Sequence, residues 1–113
     1  MNADIKRQWI AALRSGEYQQ TRGRLRNNGG YCCMGVLCDL HAKESGGLWT
    51  GSQEDGWAYR FEGVVLPSVV ADWAGIAGLN PMVDGAALGY RNDNGGTFDE
   101  IADLIEAFIQ DAS

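Results

Sequence analysis

The chain has 113 residues and a mass of 12.2 kDa, enough for one domain with a single core and no disulfide support. A net charge of −6 and a pI near 4.5 exclude general nucleic-acid binding, which needs a dominant basic face. No apolar run reaches the roughly 18 residues of a membrane span, and the start, Met1-Asn2-Ala3-Asp4-Ile5-Lys6-Arg7, lacks the apolar stretch of a signal peptide.

Three cysteines, two of them adjacent, do not make a secreted disulfide framework, so a cytoplasmic protein with reduced thiols is expected. The 16 glycines are about twice the roughly 8 that average usage gives. With two prolines, they predict short elements joined by tight turns. The charge is unevenly spread. Residues 1–26 hold six of the nine basic residues and two of the fifteen acids, so that segment carries +4 and the remainder −10.

The first predicted element is a helix from Ala3 to Ser15, with Ile5, Trp9, Ala12 and Leu13 in one apolar stripe and Gly16 as its stop. Glu17 to Arg26 reads as extended, and Asn27-Asn28-Gly29-Gly30 is a turn signal after which Tyr31 and Cys32 complete a short hairpin. A second helix is predicted from Cys33 to Ala42, with Cys33, Val36, Leu37 and Leu40 on one face and Gly46-Gly47 at its end. Residues 48–66 read as β structure, where Trp57, Tyr59 and Phe61 alternate with Ala58 and Arg60. Pro67 suits the first turn of a short helix through Trp73, closed by Gly75. Asn80-Pro81 is a turn, and Met82-Val83 and Ala87-Leu88 are short extended pieces. Thr97-Phe98-Asp99-Glu100 forms a capping box before a helix from Phe98 to Gln110. Together these predict one α+β domain over residues 1–113, with about three principal helices on a small, mostly antiparallel sheet.

The stretch Tyr31 to Leu40 holds every cysteine, and the only histidine, His41, follows it. Cys32 or Cys33 at a helix start satisfies one condition for a thiol nucleophile. His41 lies eight or nine residues further along the same helix, about 12 Å away along its axis, and cannot serve either as a base. Cys38 and His41 have helical ligand spacing, but a structural zinc site wants four ligands and the paired Cys-x-x-Cys is missing. Asn92, Asp93 and Asn94 do not complete a calcium loop, and the common nucleotide and hydrolase motifs are absent. Small hydrophobes in a core is the better reading of the cysteines. No catalytic residue, metal or cofactor is assigned.

Arg22, Arg24 and Arg26 alternate, so in a strand all three would project from one face, with Tyr18 and Gln20 extending it. Arginines in register repel one another unless something negative lies opposite, and their forks fit phosphate or carboxylate, so the filler is either the protein's own acidic surface or a phosphate-bearing ligand. The candidate ligand-binding residues are therefore Arg22, Arg24, Arg26, Tyr18 and Tyr31, with Trp57 and Tyr59 as further aromatic surface for stacking a base. Arg26-Asn27-Asn28-Gly29-Gly30 and Arg91-Asn92-Asp93-Asn94-Gly95-Gly96 echo each other, which the turn preference of Asn and Gly explains.

Three segments, Trp9-Ile10-Ala11-Ala12-Leu13-Arg14-Ser15-Gly16, Tyr31 to Leu40, and Phe98-Asp99-Glu100-Ile101-Ala102-Asp103-Leu104-Ile105-Glu106, resemble a family of small bacteriophage and prophage proteins. That family has a Tyr-Cys-Cys-Leu-Gly-Val-Leu-Cys-Asp-Leu centre, and Met34 stands here where leucine is usual. The resemblance implies a phage accessory protein in the host cytoplasm and, by analogy, an action on host immunity. The expected function is sequestration of a small, phosphate-bearing, nucleotide-type signal without catalysis. The alternative is inhibition of a host defence protein through the acidic surface, with a thiol enzyme third. A homo-oligomer is left open.

Overall fold

The computed structural model describes residues 1–27 and 29–112, so Asn28 of the expected turn lies outside the described residues. Helix α1 spans Ala3–Arg14 and is capped by Asn2, whose side chain accepts from the Ile5 N–H at 3.0 Å. Its stripe of Ile5, Trp9 and Leu13 is buried. Strand β1 (Arg26–Asn27) pairs with β2 (Gly30–Tyr31), and helix α2 (Cys33–Ser45) follows, ended by left-handed Gly46. Strands β3 (Trp49–Ser52) and β4 (Gly56–Tyr59) pair with one another, and β4 also pairs with β1. The four strands make an antiparallel sheet in the order β2-β1-β4-β3.

Helix α3 (Ser68–Ala74), a hairpin of β5 (Met82–Val83) and β6 (Ala86–Ala87), helix α4 (Leu88–Asp93) and helix α5 (Phe98–Phe108) complete the chain. The α+β class and the capping box at Thr97 and Glu100 match expectation. The helix count does not, because there are five helices. Three are the principal ones and α3 is the expected short one. The last, α4, begins at Leu88, where an extended piece was expected. Pro67 is the N-cap residue of α3 rather than a member of its first turn.

Helix α2 runs through the core. Its residues Cys33 to Asp39 are all buried, so the expected single apolar face becomes burial on every side. Helices α1 and α5 pack against one another, and α1 also contacts α2. The N-terminal half of α2 is held very close to the chain before β1. Leu25 O accepts from the Cys32 N–H at 3.0 Å, and a Cβ added to Gly35 would stand 1.8 Å from that oxygen. Trp9 Nε1 donates to Cys33 O at 2.9 Å from the other side.

Two expected strands are shorter than the alternation suggests. Glu17 to Leu25 contains bends, with one parallel bridge from Gln20 to Tyr31, and the regular strand is only Arg26–Asn27. Gly23 turns the chain with φ of +82° and gives its N–H to the Asp93 carboxylate at 2.9 Å. The echo between the two Arg-Asn-Gly segments also dissolves: one is the β1–β2 hairpin, the other the end of α4. The alternation at Trp57, Tyr59 and Phe61 stops at Tyr59. Arg60 and Phe61 have φ of +52° and +70°, and reciprocal backbone bonds join Tyr59 to Glu62. That is the φ pattern of a type I′ turn.

Substituting Gly35→Ala should destabilise the fold by about 3 kcal/mol through overpacking against backbone, measured by denaturant unfolding. Phe61→Gly should raise stability by about 1 kcal/mol, because glycine relieves a left-handed position and no burial is lost. Thermal denaturation reads the sign.

Candidate functional site

The site forms where β1 crosses between its two sheet neighbours. Arg26 lies opposite Tyr31 on β2 and opposite Trp57 on β4. Its guanidinium carbon sits 4.3 Å from the Trp57 ring centroid, 5.0 Å from that of Tyr31 and 5.5 Å from that of Trp49. Three rings therefore surround one cation, an arrangement worth about 0.5–2 kcal/mol per effective contact. The aromatic layer continues sideways. Tyr18 meets Tyr31 edge-on at 5.0 Å, Tyr31 meets Trp49 at 5.8 Å, and Trp49 lies 5.2 Å from Tyr59.

Helix α2 supplies the charged neighbours of this layer. Asp39 accepts from the Tyr18 hydroxyl at 2.6 Å and from Trp49 Nε1 at 3.1 Å. Lys43, one turn on, lies 3.4 Å from the Asp39 carboxylate and donates to the Tyr18 oxygen at 3.1 Å. Burial, reinforced by the hydrogen bond to Asp39, pushes the Tyr18 phenol up to about 12, and burial also raises that of Tyr31. The Asp39 charge is thus matched within the protein.

Arg26 has no such match. Among the described residues no carboxylate pairs with it, and its Nε is buried without a hydrogen-bond partner. Arg24 shares this condition at its own Nε. The two are not in one strand, contrary to the expectation of three arginines in register, because Gly23 turns the chain and the regular strand begins only at Arg26. Arg24 lies over Gly56 and Gly63, where a Cβ on Gly63 would come within 2.7 Å of its Nη2, and that nitrogen donates to Trp57 O at 3.3 Å. Arg22 is exposed in the bend. Gln20 points away too, donating to Asn92 Oδ1 at 2.9 Å and to Gly96 O at 2.7 Å.

Of the five candidate residues, the structure thus brings Arg26, Tyr31 and Tyr18 together, leaves Arg22 exposed in the bend and holds Arg24 against Gly56, Gly63 and the Trp57 carbonyl. Sequence reasoning missed Trp49, Asp39 and Lys43. The i, i+4 spacing of Asp39 and Lys43 on a helix was the available signal for their pairing. Trp49 carried none, because its place depends on the β3–β4 register. The platform is open: Tyr18, Arg26, Tyr31, Trp49 and Trp57 are all half-buried. Two surface cavities of about 200 and 300 Å³ lie elsewhere, the first beside Tyr90 and Leu104 and the second beside Ile76 and Phe108.

The cysteine block is interior. Cys32 caps α2, its sulfur accepting from the Gly35 N–H at 3.4 Å, and burial pushes its thiol up to about 11. Burial raises Cys33 and Cys38 as well. Among the described residues no three His, Cys, Asp or Glu side chains are grouped to hold a metal. His41 turns to the sheet, with Nδ1 2.6 Å from the Tyr59 hydroxyl and its ring against Trp73. Asn92 is a buried connector rather than a calcium-type ligand. It accepts from the Cys33 N–H at 3.1 Å and donates to Thr21 O at 2.8 Å.

Burial, with the Arg60 charge adding to it, holds the His41 imidazole below its ordinary 6.5. The unfolded chain then binds a proton that the folded chain refuses. This contribution to stability is complete above the unfolded value and is lost as pH falls from about 6.5 toward the folded value. The midpoint of thermal unfolding should therefore drop between about pH 7.5 and pH 5, and His41→Gln should flatten that slope.

A family described as Domain of unknown function (DUF8296) matches residues 1–109. No curated protein and no solved structure matches the chain.

Proposed function

The chain belongs to the DUF8296 family, and we propose that it is a non-enzymatic binding protein that takes a small phosphate-bearing ligand at Arg26. The carrying observation is the cation itself. Its Nε is buried without a partner, three aromatic rings surround it, and no carboxylate among the described residues neutralises it. A guanidinium fork donates two parallel hydrogen bonds to phosphate oxygens. The half-buried rings of Trp57 and Tyr31 offer stacking surface to a base beside it. Binding without catalysis fits the cysteines, which burial keeps protonated at neutral pH.

In this reading the protein is a phage accessory factor that removes a nucleotide-type signal from a host defence pathway. The phage setting rests on the resemblance of the Trp9, Tyr31–Leu40 and Phe98 segments. One observation favours a second reading. The platform is open rather than enclosed, which suits a protein surface as well as a small molecule. In that case the chain blocks a defence protein, with its acidic remainder supplying the complementary charge.

Calorimetry with inorganic phosphate, nucleoside mono- to triphosphates and cyclic dinucleotides tests the first reading. Arg26→Gln and Arg26→Lys should each lower affinity at least about tenfold, roughly 1.4 kcal/mol, while Arg22→Gln stays within about twofold. Equal affinity in the Arg26 variants sinks the site. Ligand released by denaturing the loaded protein should be chemically intact by mass spectrometry; an altered ligand overturns the non-catalytic assignment.

A further inference from the structure

Among the described residues, two hairpins turn on a pair of residues with positive φ. Between β5 and β6 the pair is Asp84-Gly85, at +48° and +85°, the residue chemistry such a turn favours. After β4 the pair is Arg60-Phe61, at +52° and +70°, closed by backbone bonds of 2.8 and 3.0 Å between Tyr59 and Glu62. A residue with a Cβ is unfavourable in left-handed backbone, and two in succession are more so. Phe61 recovers nothing by burial, because its relative exposure is 101%. Within one copy of the chain, a phenylalanine at that position has only disadvantages.

The turn does not stand alone. Leu48 is 82% exposed and Val64 is 56% exposed. Continuing the β3–β4 register one residue beyond Trp49↔Tyr59 sets Leu48 opposite Arg60, so Leu48 and the turn share one end of the sheet. Opposite charges stand on either side of Phe61 in sequence. Neither Arg60 nor Glu62 makes an ion pair among the described residues. The Arg60 guanidinium lies 5.9 Å from the ring centroid of its own neighbour Tyr59.

We propose that this end of the sheet binds a second copy of the chain, with Phe61 near a two-fold axis and Arg60 of each copy facing Glu62 of the other. A two-fold contact is isologous: if position i of one copy meets position j of its mate, then j meets i. The order cation, ring, anion at residues 60–62 is self-complementary under that operation. Both unpaired charges are matched at once, and the two exposed rings cover one another along with the adjoining Leu48 side chain. The contact does not depend on any ligand at the Arg26 platform.

Sedimentation velocity of the purified chain from about 1 µM to about 1 mM tests the inference, since a contact this small gives a dissociation constant in that range. The mass should rise with concentration from one copy toward two. Phe61→Asp should stay monomeric throughout. Phe61→Gly, which relieves the turn and so folds at least as well, should stay monomeric too. Arg60→Glu and Glu62→Arg should each weaken association about tenfold, and the two combined should return it to within about threefold of the unsubstituted chain. A chain that is monomeric at every concentration overturns the proposal. So does association that survives the Phe61 substitutions, or a combined charge exchange that fails to recover.

Discussion

A helix that begins inside a protein needs partners for its first N–H groups where water cannot supply them, and α2 begins in the middle of this core. The partners come from several parts of the chain. Leu25 O takes the N–H of Cys32, the Asn92 side chain takes that of Cys33, and the Cys32 sulfur takes that of Gly35. Trp9 meanwhile fastens Cys33 O to α1. Asn92 is filled on both ends of its amide, so the buried polar group is fully compensated. This set of bonds places Thr21 and Leu25, and thereby the point where β1 starts and Arg26 faces the aromatic layer. The cysteine signature serves this purpose. Small side chains and Gly35 let the loop approach as closely as it does.

The uneven charge of the sequence has a structural division behind it. The basic residues of α1 are used internally. Lys6 pairs with Asp111 at 2.9 Å, Arg7 pairs with Asp4, and Arg14 meets Asp103 and Glu106 at 2.6 and 3.0 Å. Most of these pairs are exposed and contribute little stability each. They nevertheless neutralise half of the positive segment. The other half, Arg22, Arg24 and Arg26, has no carboxylate partner among the described residues. Only Arg26 combines that condition with an aromatic surround.

What could be read from the sequence was what local chemistry decides. The capping box at Thr97 and Glu100, the stripe of Ile5, Trp9 and Leu13, and the glycine stop at Gly46 all depend on neighbours within a turn or two. Period-2 alternation misled twice, because a strand also needs a partner. Arg22 and Arg24 alternate with Arg26 but lie in bends fixed by the Gly23–Asp93 bond across 70 residues. Phe61 continues the rhythm of Trp57 and Tyr59 but belongs to the turn. Asn92 looked like ordinary turn chemistry since its partners, Gln20, Thr21 and Cys33, are 59 to 72 positions away. Tyr31 was legible as part of the site and Trp49 was not, for the same reason of distance along the chain.

The pairing of α1 with α5 also bears on how the domain assembles. Arg14 reaches Asp103 across 89 residues, and the Met1 amino group donates to Gln110 O across 109. Bringing ends so far apart together costs about 4 kcal/mol of chain entropy, which no contact repays until both helices exist. Contacts of such high sequence separation slow a folding reaction relative to one built from neighbours. Once closed, the same ring ties each end of the described chain to elements from elsewhere, so fraying at the ends is opposed by the whole circuit rather than by a single turn of helix.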